Sequence, residues 1–413
     1  MQRKRNSLNN NMKTSEESDN FLKPEQAKLP VFNAFSMEDA VTTPASRRGS
    51  QTARLRKRMR PCLRLLQVTG FFPCANSESY FTTGFLIFLS FTFLVVNAGS
   101  FGFIVTQIKF FAQEEGVLSL DCTSTIMAGL KPCHGTVNLM IFLLSAGRHK
   151  VLLNAMFKVD KLFLTHFQLP INLRPHNCVL ITAVGFVISS TFIIRLSQYM
   201  LLEKPGEHWI GDFSLILVPL LSVWQVLPLL YFLYLTSILR YWYSHLEQQL
   251  QQDYQLSKHK LQFYYEQFLA ITEATSKLGH LFNPFVLLSI VHSGVVLCLT
   301  IYFVTQSKQE SLIPDEPYEY IILTYFHLIW SGFQIMVAII YLLAICTAGT
   351  RTNEKARTII GTVLAIFPRT DSDRHVVICF VHKIASQFNW GLTVWRAFPI
   401  ERHLFFTVSV SVF

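Results

Sequence analysis

Charge is scarce in this sequence. Only 15% of its 413 residues are Asp, Glu, Lys or Arg, against about 25% in ordinary soluble domains, and the deficit is concentrated in long blocks that carry almost no charge at all. Catalytic signatures are missing as well. No HExxH, no phosphate-cradling glycine loop and no GxSxG occurs, which removes the chemistries those motifs serve and gives no reason to read the chain as an enzyme. The eight cysteines, at 62, 74, 122, 133, 178, 298, 346 and 379, have no metal-ligand spacing. Most lie in or beside apolar blocks as small core residues, so neither a metal nor a cofactor is expected. Cys122 and Cys133 flank one loop in this reading and could be bridged. Residues 1–60 are polar and hold no signal-peptide core, so the first apolar block is expected to act as an uncleaved anchor.

What the chain has in excess is apolar and aromatic side chains. Half the residues are hydrophobic and 36 are Phe. They fall in blocks of about 20 residues, the length that crosses a bilayer as a helix. The fold class is therefore an all-α polytopic membrane protein. Six apolar segments stand out, at about 81–106, 124–146, 179–202, 213–238, 285–305 and 320–346. A seventh, 404–413, begins within "ERHLFFTVSVSVF" and stops short of a full crossing. Its alternating "TVSVSV" would suit a strand, but no barrel pattern occurs elsewhere to pair with it.

Charge placement predicts orientation. The connections after the first, third and fifth segments are acidic: Lys109 stands against Glu114, Glu115 and Asp121, and Lys308 against Glu310, Asp315, Glu316 and Glu319. The alternate ones are basic: 147–178 carries Arg148, Lys150, Lys158, Lys161 and Arg174 against Asp160 alone. With the basic run "RRGSQTARLRKRMR" at 47–60, the positive-inside rule puts the amino terminus in the cytoplasm. The leader, 1–60, reads as a disordered basic tail that contacts anionic membrane lipid, and 61–413 as a seven-helix bundle. The +10 net charge lies in this leader and the loops, so membrane topology explains it and nucleic acid is not an expected partner. The fourth segment is expected to continue as one helix through "LRYWYSHLEQQLQQDYQLSKHKLQFYYEQFLAITEATSKLGHLFN", where apolar residues recur every three or four positions. Such cytoplasmic extensions must bundle to cover their apolar faces.

The seven spans, the inside amino terminus and the long helical loop together resemble an insect-type gustatory receptor. "LRLLQVTGFFP" at 63–73 is similar to that family's approach to the first span. "RTNEKARTIIGTVLAIFP" and "FVHKIASQFNWGLTVWRAFPIERHLFFTVSVSVF" are similar to its carboxyl-terminal region. The family's signature in the last span is Thr-Tyr, five mostly apolar residues, then Gln-Phe. The sequence reaches Phe413 about where that pair should begin, so it is expected to be a truncated record whose last span is incomplete. The resemblance implies a chemoreceptor in the plasma membrane, a multi-pass subunit of a homo- or hetero-tetrameric ligand-gated cation channel that detects small-molecule tastants. It also implies that Leu404, Phe405, Phe406, Val408, Val410 and Val412 line the pore.

Polar and aromatic residues on one face inside spans mark a ligand pocket. Thr191, Arg195, Gln198 and Tyr199 fall at i, i+4, i+7 and i+8 of the third span, and His327, Trp330, Ser331 and Gln334 at i, i+3, i+4 and i+7 of the sixth. Trp224 and Gln225 lie about midway in the fourth. Such groups are costly in hydrocarbon, so they should face the bundle interior or a wet cavity. Ser289, His292 and Ser293 share a face of the fifth span but sit deeper, and carry less weight. Two alternatives have predictable discriminators. A metabotropic seven-helix receptor would place the amino terminus outside, and "FNPFVLL" is only superficially similar to its NPxxY because Leu287 holds the last position. A secondary transporter would show an internal repeat and paired broken spans, and neither is visible.

Overall fold

The computed structural model describes residues 48–72, 80–114, 119–167, 171–202, 209–252, 258–310, 318–365, 371–386, 390–394 and 398–400. Among these residues the chain is almost wholly helical: α1 (Arg48–Val68), α2 (Tyr80–Glu114), α3 (Leu120–Leu144), α4 (Ala146–Phe167), α5 (Arg174–Leu202), α6 (Trp209–Gln252), α7 (Lys258–Glu310), α8 (Tyr318–Leu364) and α9 (Asp371–Ala385). One short antiparallel hairpin, β1 (Thr393–Val394) and β2 (Phe398–Pro399), follows α9.

Six of these helices, α2, α3, α5, α6, α7 and α8, are long and apolar enough to cross a membrane. They coincide with the six segments expected from the sequence. Their outer faces carry bare apolar side chains: Phe88 is 66% exposed on α2, and Phe186 is 70% exposed on α5. A soluble protein could not leave such contiguous surface uncovered, whereas lipid tails accept it. α6 contacts α3, α5, α7 and α8, and α7 contacts α3, α4, α6, α8 and α9. At Gly135 of α3 an added Cβ would lie 2.6 Å from Asn97 Oδ1, so a residue without a side chain is what lets α2 and α3 approach closely.

Three helices overshoot the bilayer. At 1.5 Å per residue, α6 with 44 residues, α7 with 53 and α8 with 47 are about 65–80 Å long, roughly twice the thickness of a hydrocarbon core. The excess forms a second bundle. α6 and α7 run antiparallel, since Gln225 meets His292, Phe232 meets Phe282, and Tyr243 meets Thr275. The expected single helix through residues 240–283 is thus two helices, and residues 253–257 between them lie outside the described set. Tyr243, Phe268, Phe380 and Trp390 stack with centroids 5.5–6.5 Å apart, binding α6, α7, α9 and the start of the hairpin.

Two expectations change. α1 starts at Arg48 and buries Leu55, Met59, Leu63 and Leu66, so the boundary at residue 60 falls inside a helix. Gly70 then ends it with φ of +82°, a backbone region that residues with a Cβ occupy at a cost. Residues 1–47 lie outside the described set, as do Leu404, Phe405, Phe406, Val408, Val410 and Val412. Cys122 and Cys133 both sit on α3 as free thiols. Eleven residues of helix separate them by about 16 Å, so the bridge that the sequence allowed does not form.

Candidate functional site

A cavity of about 300 Å³ lies among the membrane-crossing helices, and all six contribute to its wall. Ile104 comes from α2, Met127, Leu130 and Lys131 from α3, and Thr191, Ile194, Arg195 and Gln198 from α5. Ser214, Val218, Leu221 and Gln225 come from α6, His292 and Val296 from α7, and Trp330 and Gln334 from α8. These residues sit toward the end of the bundle where α2 joins α3, α5 joins α6 and α7 joins α8, away from the projecting helices. The helical period explains the convergence. Thr191, Arg195 and Gln198 occupy one stripe of α5, and Trp330 and Gln334 are one turn apart on α8.

Several of the polar groups are oriented by a neighbour. Arg195 Nε donates to Ser214 Oγ at 2.8 Å. Gln225 Nε2 and His292 Nε2 are 2.9 Å apart, and the Tyr341 hydroxyl donates to the Gln225 carbonyl at 3.0 Å. His292 stacks on His134 with centroids 4.3 Å apart, and Asn138 Nδ2 lies 3.2 Å from His134 Nδ1. A polar chain therefore runs from α3 through α7 to α6. The Lys131 ammonium sits 4.6 Å above the centre of the Trp330 ring, a cation–π contact worth about 2 kcal/mol when desolvated. Phe333 stacks on the other residue of that pair, 5.9 Å from Trp330.

Of the residues singled out in the sequence, Arg195, Gln198, Gln225, Trp330 and Gln334 meet at this cavity, together with Thr191 and His292. Tyr199 and Trp224 do not line it. Tyr199 is buried within the bundle, 6% exposed. Trp224 is buried against Phe93, and its indole N–H donates to the Thr69 carbonyl at 3.1 Å, which makes it a clamp on the end of α1. His327 belongs to α8, but its side chain lies outside the described set. Lys131 and His134 were not among the residues singled out in the sequence. The signal was available, because Lys131, His134 and Asn138 fall at i, i+3 and i+7 of α3, the same one-face pattern that marked α5 and α8.

The profile of the 7tm chemosensory receptor family matches residues 59–375. The chain belongs to that family. A curated relative in Caenorhabditis elegans, named as the probable G-protein coupled receptor egl-47, is 33% identical over 343 residues. That match covers 79% of this chain and 66% of the relative's length. Among solved structures, the insect olfactory receptor OR5 from Machilis hrabei superposes with a TM-score of 0.61, covering 88% of this chain and 97% of that one at 11% identity. The same receptor in complex with eugenol gives a TM-score of 0.54 at 12% identity. At such identities the likeness is one of fold. This chemosensory receptor thus shares the seven-helix membrane architecture of an insect olfactory receptor.

Proposed function

We propose that this chemosensory receptor is a gustatory-type subunit of a ligand-gated cation channel, opened by a small molecule held in the cavity among α2, α3, α5, α6, α7 and α8. One observation carries the reading: a cavity walled by every membrane-crossing helix, apolar over much of its surface, with a few convergent polar groups, which is the build of a ligand pocket. The architecture shared with insect olfactory receptors supports it, and one of those structures holds the small molecule eugenol. On this reading the receptor sits in the plasma membrane with its amino terminus in the cytoplasm. Copies of it, alone or with related subunits, form a tetramer whose pore is lined by the residues from Leu404 onward. The ligand acts by differential affinity: it favours the open arrangement only as far as it binds that arrangement more tightly. The gate is an apolar constriction that closes by dewetting.

Whole-cell current recorded from cells expressing the receptor, with sugars and bitter compounds applied, tests this. Ligand-evoked cation current that is lost in Arg195→Ala, Gln198→Ala and Trp330→Ala is the expected result. Current unchanged in all three variants rejects the pocket.

The name of the nematode relative favours a second reading, in which the receptor couples to a G protein. The charge asymmetry of the loops argues against it. An epitope tag at the amino terminus that antibody reaches in intact cells would support coupling and overturn the channel reading.

A further inference from the structure

α1 presents two unlike faces. One buries Leu55, Met59, Cys62, Leu63 and Leu66 against the bundle. The other carries Lys57, Arg60, Arg64 and Val68 at i, i+3, i+7 and i+11, a single exposed stripe. Its character changes along its length: three cations are followed by an apolar side chain that is 66% exposed. The depth of α1 explains that order. Just past its end, Gly70 lies against Ser90 of α2, and the Trp224 indole donates to the Thr69 carbonyl. Trp224 stands eleven residues inside the apolar part of α6, which begins at Phe213. That is about 16 Å, near the middle of a bilayer core about 30 Å thick. Twelve residues before Gly70, Arg58 donates to the Ile171 carbonyl, and Asn177 Nδ2 donates to the Arg58 carbonyl at 2.8 Å. Ile171 and Asn177 flank the start of α5, so Arg58 is level with the edge of the membrane. α1 therefore rises from that edge toward the middle. Counted back from Thr69, Arg64 lies about 8 Å, Arg60 about 14 Å and Lys57 about 18 Å away along the helix, against a half-core of about 15 Å.

We propose that this stripe is a docking surface for anionic phospholipid. Lys57 and Arg60 meet the phosphates, Arg64 reaches back to them along its aliphatic stem, and Val68 lies among the acyl chains. Charge complementarity selects this occupant. None of the ion pairs among the described residues engages the stripe; Lys277 pairs with Glu273 and Lys355 with Glu247, both in the projecting bundle. Asp160 is 5% exposed and acts on Arg58, which is not part of the stripe. Arg174, the first residue of α5, adds a fourth exposed cation at the level of Arg58. A basic side chain at the hydrocarbon edge keeps its stem in the tails and its charge among the headgroups. A soluble anion would suit the cations but not the bare Val68 that continues their stripe. The inference rests on the orientation proposed above, which sets α1 in the cytoplasmic leaflet, where anionic lipid is held.

Native mass spectrometry of the full chain in detergent, titrated with dioleoyl phosphatidylserine or dioleoyl phosphatidylcholine, tests it. The two lipids share their chains and differ in headgroup charge. A cation at an anionic surface is worth about fivefold in affinity, so the receptor should bind phosphatidylserine at least about tenfold more tightly. Each of Lys57→Gln, Arg60→Gln and Arg64→Gln should cut that preference about two- to fivefold, and the three together should abolish it. Lys277→Gln, in the projecting bundle, should leave it unchanged. Affinity for phosphatidylcholine should stay as in the parent and report an intact fold; where the triple variant loses it, the single substitutions decide. Equal affinity of the parent for the two lipids, or a preference that survives the substitutions, overturns the proposal. A triple variant whose oligomeric mass differs from the parent's reassigns the stripe to a contact with a second copy, and the lipid assignment falls. Both lipids reach every face of the receptor in detergent, so failure condemns the stripe and leaves the orientation and the cavity standing.

Discussion

Asn353 acts as a substitute strand. It is 2% exposed on α8, and its carboxamide makes a two-way exchange with the backbone of Leu392: Nδ2 donates to the carbonyl and Oδ1 accepts the N–H, both at 2.9 Å. Nδ2 also reaches the Ile400 carbonyl at 3.3 Å. Replacing it with leucine keeps the volume and deletes all three bonds. The Leu392 carbonyl still accepts from the Ile400 N–H at 3.0 Å, so it is not stranded. The Leu392 N–H loses its partner in a site that is 1% exposed, and among the described residues the Ile400 carbonyl keeps a long contact from Thr350 Oγ1 at 3.5 Å. An unsatisfied buried backbone group costs about 1–3 kcal/mol. With one group stranded and one weakened, the penalty is about 2–3 kcal/mol on docking of the hairpin. That raises the local opening equilibrium roughly 30- to 150-fold, at 1.4 kcal/mol per decade.

Hydrogen–deuterium exchange read by mass spectrometry measures this directly, because amides exchange through such local openings. In Asn353→Leu the peptide holding Leu392 should exchange faster by that factor, while peptides from the membrane-crossing part of α5 keep their protection. Unchanged exchange at Leu392 would refute the account of Asn353 as the bond that docks the hairpin. Equal acceleration everywhere would refute its being local.

A Cβ at Gly349 would lie 2.7 Å from Ile400 Cβ and 2.6 Å from its Cγ2, so Gly349→Val should destabilise by about 1–3 kcal/mol through overpacking, and an unaltered melting temperature in detergent would contradict that contact. Burial pushes the Asp160 carboxyl up from 3.8 to about 6, against the opposing pull of Arg58. The folded state therefore holds this proton more tightly than the unfolded chain, and stability drops as pH rises from about 4 through 6. Asp160→Asn should gain on the order of 2–3 kcal/mol near pH 7.5 and nothing near pH 4, and a gain of the same size at both pH values would count against it. Gln225→Ala and His292→Ala should be coupled in a double-mutant cycle by about 0.6 kcal/mol, typical of a hydrogen bond between membrane helices, and strict additivity would show that the 2.9 Å contact is idle.

The membrane-crossing helices were legible because the signal is local: an apolar run long enough to span a bilayer reports itself. Their true lengths were not. Past the hydrocarbon, α6 and α7 continue under an amphipathic pattern that has no apolar run to delimit it, so residues 240–283 read as one helix although two are present. The hairpin β1–β2 was invisible for a different reason. Its strands have two residues each, and it is held by Asn353, 39 positions away along the chain. At the cavity, the one-face rule located Arg195, Gln198, Trp330 and Gln334, and midspan depth located Gln225. It could not say which way a midspan aromatic turns, so Trp224, which clamps Thr69, looked equal to Trp330. Lys131 was missed although a charge retained in a span is a pointer to function.

Cavity and hairpin are joined by the same three helices. Gln225 and Tyr243 are 18 residues apart on α6, His292 and Phe268 are 24 apart on α7, and Gln334 and Asn353 are 19 apart on α8, distances of about 27–36 Å along unbroken helix. Close-packed helices shift as units between alternative packings and do not deform smoothly, so a ligand that moves Trp330 against Lys131 is expected to displace Asn353 against Leu392. If the two ends are coupled in this way, the effect is reciprocal. Undocking the hairpin with Asn353→Leu should shift the half-maximal concentration of an activating tastant by at least about fivefold, the low end of ordinary allosteric coupling, although Asn353 lies far outside the cavity. The same tastant should in turn alter exchange at Leu392 in the parent receptor but not in Trp330→Ala. A half-maximal concentration that is indifferent to Asn353→Leu, in a receptor whose Leu392 amide has demonstrably been released, would show that the cavity and the projecting bundle move independently.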